Sequence, residues 1–298
     1  MRKWWLLLVA LAVWNLLGYA LAVSRSVGPK DAASDALDTR RLVSLAPSLT
    51  EILYALELGE TIVGVTAGSD YPPQALDKPS VGTFWQPNIE AIIALKPSLV
   101  VTLGFQQHKS LVHRLERMGC HCLMTDIWTV DNLFGAIDTL GKATGSERQA
   151  AELIDDIKFK IRLLQEAIKG RPRPRVLWVV QRDPLRVAGR DTFINEMVEL
   201  AGGENAIGPT LHKYPPIGAE QVIAASPQVV IEPTMGKGDP RHQRDQALAY
   251  WDRFASTPAV AAGRVHIIDG DIVSRLGPRL YEGIETLVQY LHPEVLGD

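Results

Sequence analysis

Two stretches decide how this chain is built: IEAIIALKPSLVV at residues 89–101 and AEQVIAASPQVVI at residues 219–231. Each has a glutamate at its second position, Glu90 or Glu220, then an apolar run, a proline seven residues on, and a β-branched segment. A short apolar run cut off by proline and followed by Val, Leu and Ile reads as a brief helix feeding a buried strand. Asn88 and Gly218 stand where N-caps belong, so each glutamate falls in the first helical turn. A carboxylate there gains ~0.3–1 kcal/mol from the helix dipole. That accounts for each glutamate singly, but not for a pair at equivalent positions.

The surroundings of the two copies also match. Before the first lie a strand at 42–45 and PSLTE, in which Ser48 and Glu51 have capping-box spacing; the helix they open runs to about Leu58 and stops at Gly59. A strand at 61–65, a polar loop at 67–86, the opening unit with its strand at 99–103, a helix at 109–118 and a strand at 120–124 follow. Strands alternating with helices imply a parallel sheet covered on both faces. Residues 146–170 break the rhythm with one long helix. Ser146 and Gln149 are spaced as a capping box, and Ile154, Ile157, Ile161, Leu164 and Ile168 form a single narrow stripe suited to a strut laid across two lobes.

Beyond it the pattern restarts. RVLWVV at 175–180 echoes RLVSL at 41–45, and FINEMVELAGGENAIG at 193–208 echoes TEILYALELGETIVGV at 50–65. The expected architecture is α/β: two similar lobes with mainly parallel central sheets, joined by one long rigid helix, with a ligand cleft between the lobes. The expected divisions are 1–22 as a signal peptide or N-terminal anchor, 23–39 as a tether, 40–145 as the first lobe, 146–170 as the linking helix and 171–298 as the second lobe. Residues 236–245 (GKGDPRHQRD) read as an exposed loop.

Composition excludes several functions. At 298 residues, 46% hydrophobic and 22% charged, the chain can bury substantial cores, and a net charge of −3 offers no basic stripe for nucleic acid. Met1-Arg2-Lys3, the apolar residues 4–19 and Ala20-Leu21-Ala22 make an export signal; its length also fits an uncleaved anchor. Either way the body lies in the periplasm or on the extracytoplasmic face of the membrane. No cysteine precedes Cys120, which argues against a lipid-modified N-terminal cysteine. Cys120 and Cys122 lack a second ligand pair and read as core side chains on one face of a strand.

No G-x-S-x-G, P-loop, G-x-G-x-x-G or H-E-x-x-H motif occurs, so no catalytic residue, metal site or cofactor is expected. Ligands of open α/β sheets collect at the carboxyl ends of strands. The loops reaching those ends carry Tyr71, Trp85, Arg186, Tyr214 and the segment from Asp271 to Arg275, while Trp128 and Trp178 lie against apolar runs and are expected in the core.

SLAPSLTEILYALELGE (44–60), GSDYPP (68–73), FWQPNIEAIIALKPSLVV (84–101) and YPPIGAEQVIAASPQVVI (214–231), in an exported two-lobed chain, resemble the periplasmic cobalamin-binding proteins of ABC importers, within the helical-backbone (class III) binding proteins. The resemblance covers about residues 41–291. It implies that Glu90 and Glu220 engage arginines on a permease dimer, that Trp85 lines a corrin pocket, that Tyr214 stands where the cobalamin receptors have a tryptophan, and that Asp271 and Arg275 contact the ligand. Ala67 and Arg186 replace aromatic residues of the pattern. The implied protein is a non-enzymatic carrier, monomeric when free. Ferric siderophore and haem receptors share the skeleton and are the first alternative; an exported α/β hydrolase and a divalent-metal receptor are more distant ones.

Overall fold

The computed structural model describes residues 41–234 and 239–295, all within one compact unit. The expected signal and tether lie outside the described residues.

The first sheet is built from β1 (Leu42–Ser44), α1 (Pro47–Ala55), β2 (Ile62–Ala67), β3 (Ser80–Thr83), α2 (Ile89–Ala94), β4 (Leu99–Leu103), α3 (Gln106–Arg117) and β5 (Cys122–Thr125). Its strand order is β3-β2-β1-β4-β5, and every pairing is parallel. Val43, Leu45, Val81, Val100, Ile89 and Ile92 are buried together between the sheet and its helices. Strand β3 forms inside the stretch expected to be a loop. It is short, and Gly82 within it has φ +97, where a Cβ would sit 2.6 Å from the Gln86 carbonyl oxygen. Only glycine turns the chain there without strain.

Two further helices follow: α4 (Val130–Thr144) and α5 (Glu147–Ala167). The sequence reading passed over α4, whose glycines dilute the helical signal. Gly141 lets it approach α5 closely, since a Cβ there would lie 2.5 Å from that of Ala150. Helix α5 is the expected strut. Ile157, Ile161, Leu164 and Ile168 are buried, Ile154 is half-buried, and the helix packs on α4 on one side and on the last helix of the second lobe, Leu280–Leu291, on the other.

The second lobe contains β6 (Arg175–Arg182), β7 (Leu185–Val187), α6 (Phe193–Leu200), β8 (Glu204–Asn205), α7 (Ala219–Ala225), β9 (Val229–Pro233), α8 (Pro240–Trp251), α9 (Pro258–Ala261), β10 (Val265–Ile268), α10 (Gly270–Val273) and α11 (Leu280–Leu291). Strand β6 pairs with β9 on one side and with β8 and β7 on the other, and β10 completes the sheet. Among the described strands, the β6–β7 hairpin is the one antiparallel pairing. The order β8-β6-β9-β10 repeats β2-β1-β4-β5 of the first sheet, so the restart of the pattern read from the sequence holds at the level of topology.

It also holds residue by residue in the opening units. Lys96 and Ser226, each preceding the proline, are both left-handed, at φ +48 and +43. The next residues, Ser98 and Gln228, each hydrogen-bond the backbone at Arg41 and Arg175, where the first strand of each sheet begins. Proline disfavours the right-handed helical conformation in the residue before it, so each helix ends at the same step and delivers its strand in the same register.

Several local expectations need correction. Ser48 and Glu51 do not form a capping box: Pro47 opens α1, Ala46 occupies the cap position without a side-chain bond, and Glu51 is buried at 3% exposure with partners elsewhere. Ser146 caps α5 by position alone, making no side-chain bond. The expected loop at 236–245 is helical from Pro240, where Asp239 accepts from the Arg241 N–H. Cys120 lies ahead of β5 rather than on it; both cysteines are unpaired, half-buried and packed on the first core, and burial pushes the Cys122 thiol up to about 12.

Candidate functional site

The carboxyl ends of the strands in both sheets border one cleft of about 470 Å³. The first lobe contributes Phe84 from the turn after β3, Leu103 at the end of β4, Phe105 at the cap of α3, and Trp128 beyond β5. The second contributes Phe193 at the start of α6, with Lys213 and Tyr214 from the loop before α7. Pro47, Ser48, Arg275 and Leu276 close one end.

The aromatic wall is a connected cluster of edge-on and tilted rings. Phe105 lies 5.3 Å from Phe84 and 4.7 Å from Trp128, ring centre to ring centre. Lys213 reaches from the opposite lobe to place its Nζ 5.3 Å above the Trp128 ring. A histidine fixes the wall from behind: His108, 1% exposed, lies 2.8 Å from Thr102 Oγ1 through Nδ1 and 2.8 Å from the Phe84 carbonyl through Nε2. A carbonyl only accepts, so Nε2 carries the hydrogen and Nδ1 takes the Thr102 hydroxyl. Tyr214 is half-buried in the facing wall, and burial raises its pKa, which favours the protonated phenol.

At the closed end the lobes are clasped by charge. Arg279 donates to both Glu51 oxygens at 2.9 and 2.7 Å, and its guanidinium lies 4.0 Å over the Tyr71 ring. Arg275 donates to Asp70 at 2.7 Å and to Asp271 at 3.1 Å, with Glu51 at 3.8 Å. Burial works to raise the Asp70 pKa, but the Arg275 hydrogen bond and charge outweigh it and hold the carboxyl below its ordinary value. A second bond between the lobes lies at the start of α4, where the Val130 N–H donates to Glu196 of α6 at 2.6 Å.

Of the residues singled out from sequence, Tyr214 and Arg275 line the cleft directly. Trp85 is 65% exposed beside the wall, edge-on to Phe84. Asp271 reaches the site through Arg275. Arg186, on β7, donates to the Tyr214 carbonyl and so supports that loop. Tyr71 faces a separate surface hollow with Tyr54 and Glu60, on the outer side of the clasp. Trp178 is core at 2% exposure, but Trp128 is not: at 41% it belongs to the cleft wall. Phe84, Phe105, Phe193 and Lys213 were missed because each sits at a strand or helix end whose direction only the sheet order fixes. Among the described residues no group of three His, Cys, Asp or Glu is placed to hold a metal ion, and no helix is long and apolar enough to cross a membrane.

Glu90 and Glu220 occupy the first turns of α2 and α7, which begin at the carboxyl side of their sheets. Asn88 caps α2 by accepting from the Ala91 N–H at 2.9 Å, and Gln221 accepts from the Gly218 N–H at 2.7 Å at the start of α7. Both glutamates are exposed and make no hydrogen bond or ion pair among the described residues.

A family model described as periplasmic binding protein matches residues 42–272, which takes in both sheets and the linking helix. The chain belongs to the periplasmic binding protein family. An uncharacterized ABC transporter substrate-binding lipoprotein, YvrC of Bacillus subtilis, is 30% identical over 86% of this chain and 81% of its own length. A vitamin B12-binding protein of Yersinia pestis is 27% identical over 84% of this chain and 86% of its own. Among solved structures, a protein described as a possible iron-binding (periplasmic solute-binding) protein from Staphylococcus epidermidis superposes with a TM-score of 0.76 at 29% identity, covering 85% of this chain and 98% of that one. A periplasmic heme-binding protein from Pseudomonas aeruginosa gives 0.73 at 28%, covering 86% and 94%. This member is thus an ABC transporter substrate-binding protein of two-sheet α/β fold. Its relatives are extracytoplasmic transport proteins rather than enzymes, and they place it outside the cytoplasm.

Proposed function

We propose that this binding protein captures a cobalamin-like corrinoid in the cleft and delivers it to an ABC importer. The observation that carries the ligand is the charge state of an aromatic cleft. Phe84, Phe105, Trp128, Phe193 and Tyr214 offer flat apolar surface for a macrocycle, and Arg275, the one guanidinium lining the cleft among the described residues, is already neutralised by carboxylates. A corrin ring carries neutral amide side chains, which such a guanidinium can serve as a hydrogen-bond donor without a net charge to match. Among the described residues, a macrocycle bearing carboxylates meets no free positive charge there except Lys213. A B12-binding relative at 27% identity supports the same reading. The rival is haem, favoured by the Tyr214 phenol facing the cleft, a hard oxygen of the kind ferric iron takes.

Delivery rests on Glu90 and Glu220. Two exposed, unpartnered carboxylates at equivalent positions, one per lobe, suit a permease dimer offering arginines in two-fold array. Packed on both lobes, α5 restrains hinge bending, so the cleft is preformed and ligand binding requires little closure.

The test is a competition. Incubating the protein with equal concentrations of cyanocobalamin and haemin, then removing free ligand by gel filtration, should leave a corrinoid absorption spectrum at one equivalent. A haem spectrum instead would replace the corrinoid reading with the rival.

A further inference from the structure

The clasp holds more negative charge than it needs. Glu51 matches Arg279 with two hydrogen bonds of 2.7 and 2.9 Å. Arg275 is matched twice, by Asp271 one helical turn before it at 3.1 Å and by Asp70 from the opposite lobe at 2.7 Å. Either carboxylate alone would neutralise it. Three carboxylates and two guanidiniums leave the cluster one negative charge in excess. Asp70 is the member the clasp could spare: Asp271, four residues before Arg275, already matches it, and Glu51, which like Asp70 comes from the opposite lobe, is taken by Arg279.

Arg275 lines the cleft with its side chain 21% exposed. A guanidinium has five N–H donors, so two carboxylate bonds leave donors for a ligand. We infer that Asp70 sets the charge selectivity of this cleft: it leaves Arg275 able to donate to neutral acceptors such as amide carbonyls while its surplus charge repels ligand carboxylates. The mechanism is the mutual repulsion of like charges in a partly desolvated site, which costs about tenfold in affinity for each ligand carboxylate brought near. The inference rests on the corrinoid reading only for its first choice of probe.

The discriminating variant is Asp70→Asn, which keeps an oxygen to accept from Arg275 and removes the charge. Asp70→Glu keeps the charge and serves as the conservative control. Affinities are measured for cyanocobalamin and for a cyanocobalamin monocarboxylate in which one peripheral amide is hydrolysed. The wild-type protein should prefer the amide about tenfold. Asp70→Asn should shrink that preference to about twofold or less, and Asp70→Glu should retain it. The wild-type preference should also fall with added salt, whereas that of Asp70→Asn should not. An unchanged ratio in Asp70→Asn, with both affinities moving together, would assign Asp70 a merely structural role and overturn the inference.

If the wild-type protein binds haemin and not cyanocobalamin, the corrinoid reading has failed, and the same question passes to haemin against its dimethyl ester. Asp70→Asn strengthening haemin but not the ester supports the selectivity role; equal effects on both refute it.

Discussion

At the residue scale, Glu51 shows how sequence spacing and tertiary contact compete for one side chain. Ser48 and Glu51 have the separation of a capping box, yet the carboxylate is 3% exposed and turns to Arg279 across the cleft. Local chemistry gives no hint of a partner 228 residues away. Breaking one side of a buried ion pair strands the other charge, which costs about 3–5 kcal/mol, whereas replacing both members by apolar groups costs far less. Arg279→Met and Glu51→Leu should therefore each lower unfolding stability in urea by about 3 kcal/mol, and the double variant should lose well under their sum. Additive losses would mean the pair is not coupled.

Asp70 gives a pH dependence of defined sign. Its folded pKa is depressed, so its ion pair stabilises the protein above the ordinary carboxylate range and that contribution disappears as pH falls through the folded value. The melting temperature of the wild-type protein should exceed that of Asp70→Asn at pH 7, with the gap closing at pH values below about 3.9. A gap that persists or widens at low pH would contradict the assignment. His108 is the third residue with a sharp test. Gln at 108 can place its amide nitrogen where Nε2 holds the Phe84 carbonyl, whereas Asn reaches only the Thr102 side. His108→Gln should keep cyanocobalamin affinity near wild type and His108→Asn should lose about tenfold, because an aromatic wall is only as precise as the bonds that fix it.

At the scale of elements, what could be read from sequence was what repeats. The glutamate, proline and β-branched unit predicted both α2–β4 and α7–β9, and the structure adds a left-handed residue before each proline, Lys96 and Ser226, that the pattern did not announce. The narrow stripe of α5 was legible for the same reason, since Ile157, Ile161, Leu164 and Ile168 all lie inside. Elements without a repeat or a clean period were not. Strand β3 spans only Ser80–Thr83 with one apolar side chain, Val81, and α4 carries the glycine that its packing on α5 demands. The cleft aromatics were hidden in another way: Trp128 sits beside an apolar run, and only the placement of β5 at the sheet edge turns it toward the opposite lobe.

Because α5 touches helices of both lobes, its core positions belong to neither alone. Truncating Ile161, which is 6% exposed, should cost about 2–4 kcal/mol. Calorimetry of Ile161→Ala should show one transition at lower temperature, both lobes melting together. Two separated transitions would show that the helix does not couple them.

At the scale of the whole molecule, two sheets of matching order place equivalent features on both sides of a cleft and then use them differently. The carboxyl ends of the strands build the cleft from aromatic residues of both lobes, and the first turns of α2 and α7 present Glu90 and Glu220 outward. If they dock the permease as proposed, exchanging both for arginine should abolish association with the cognate permease in detergent or nanodiscs, because attraction at two registered sites would become repulsion. Undiminished association would leave these residues as helix-dipole partners only.

Isothermal titration of the purified protein with cyanocobalamin asks what the cleft holds. A corrinoid carrier should give saturable heat at one ligand per chain, lost on placing a charge in the aromatic wall by Phe105→Asp. Absence of saturable heat with cyanocobalamin, alongside stoichiometric binding of haemin or a ferric chelate under the same conditions, would contradict it.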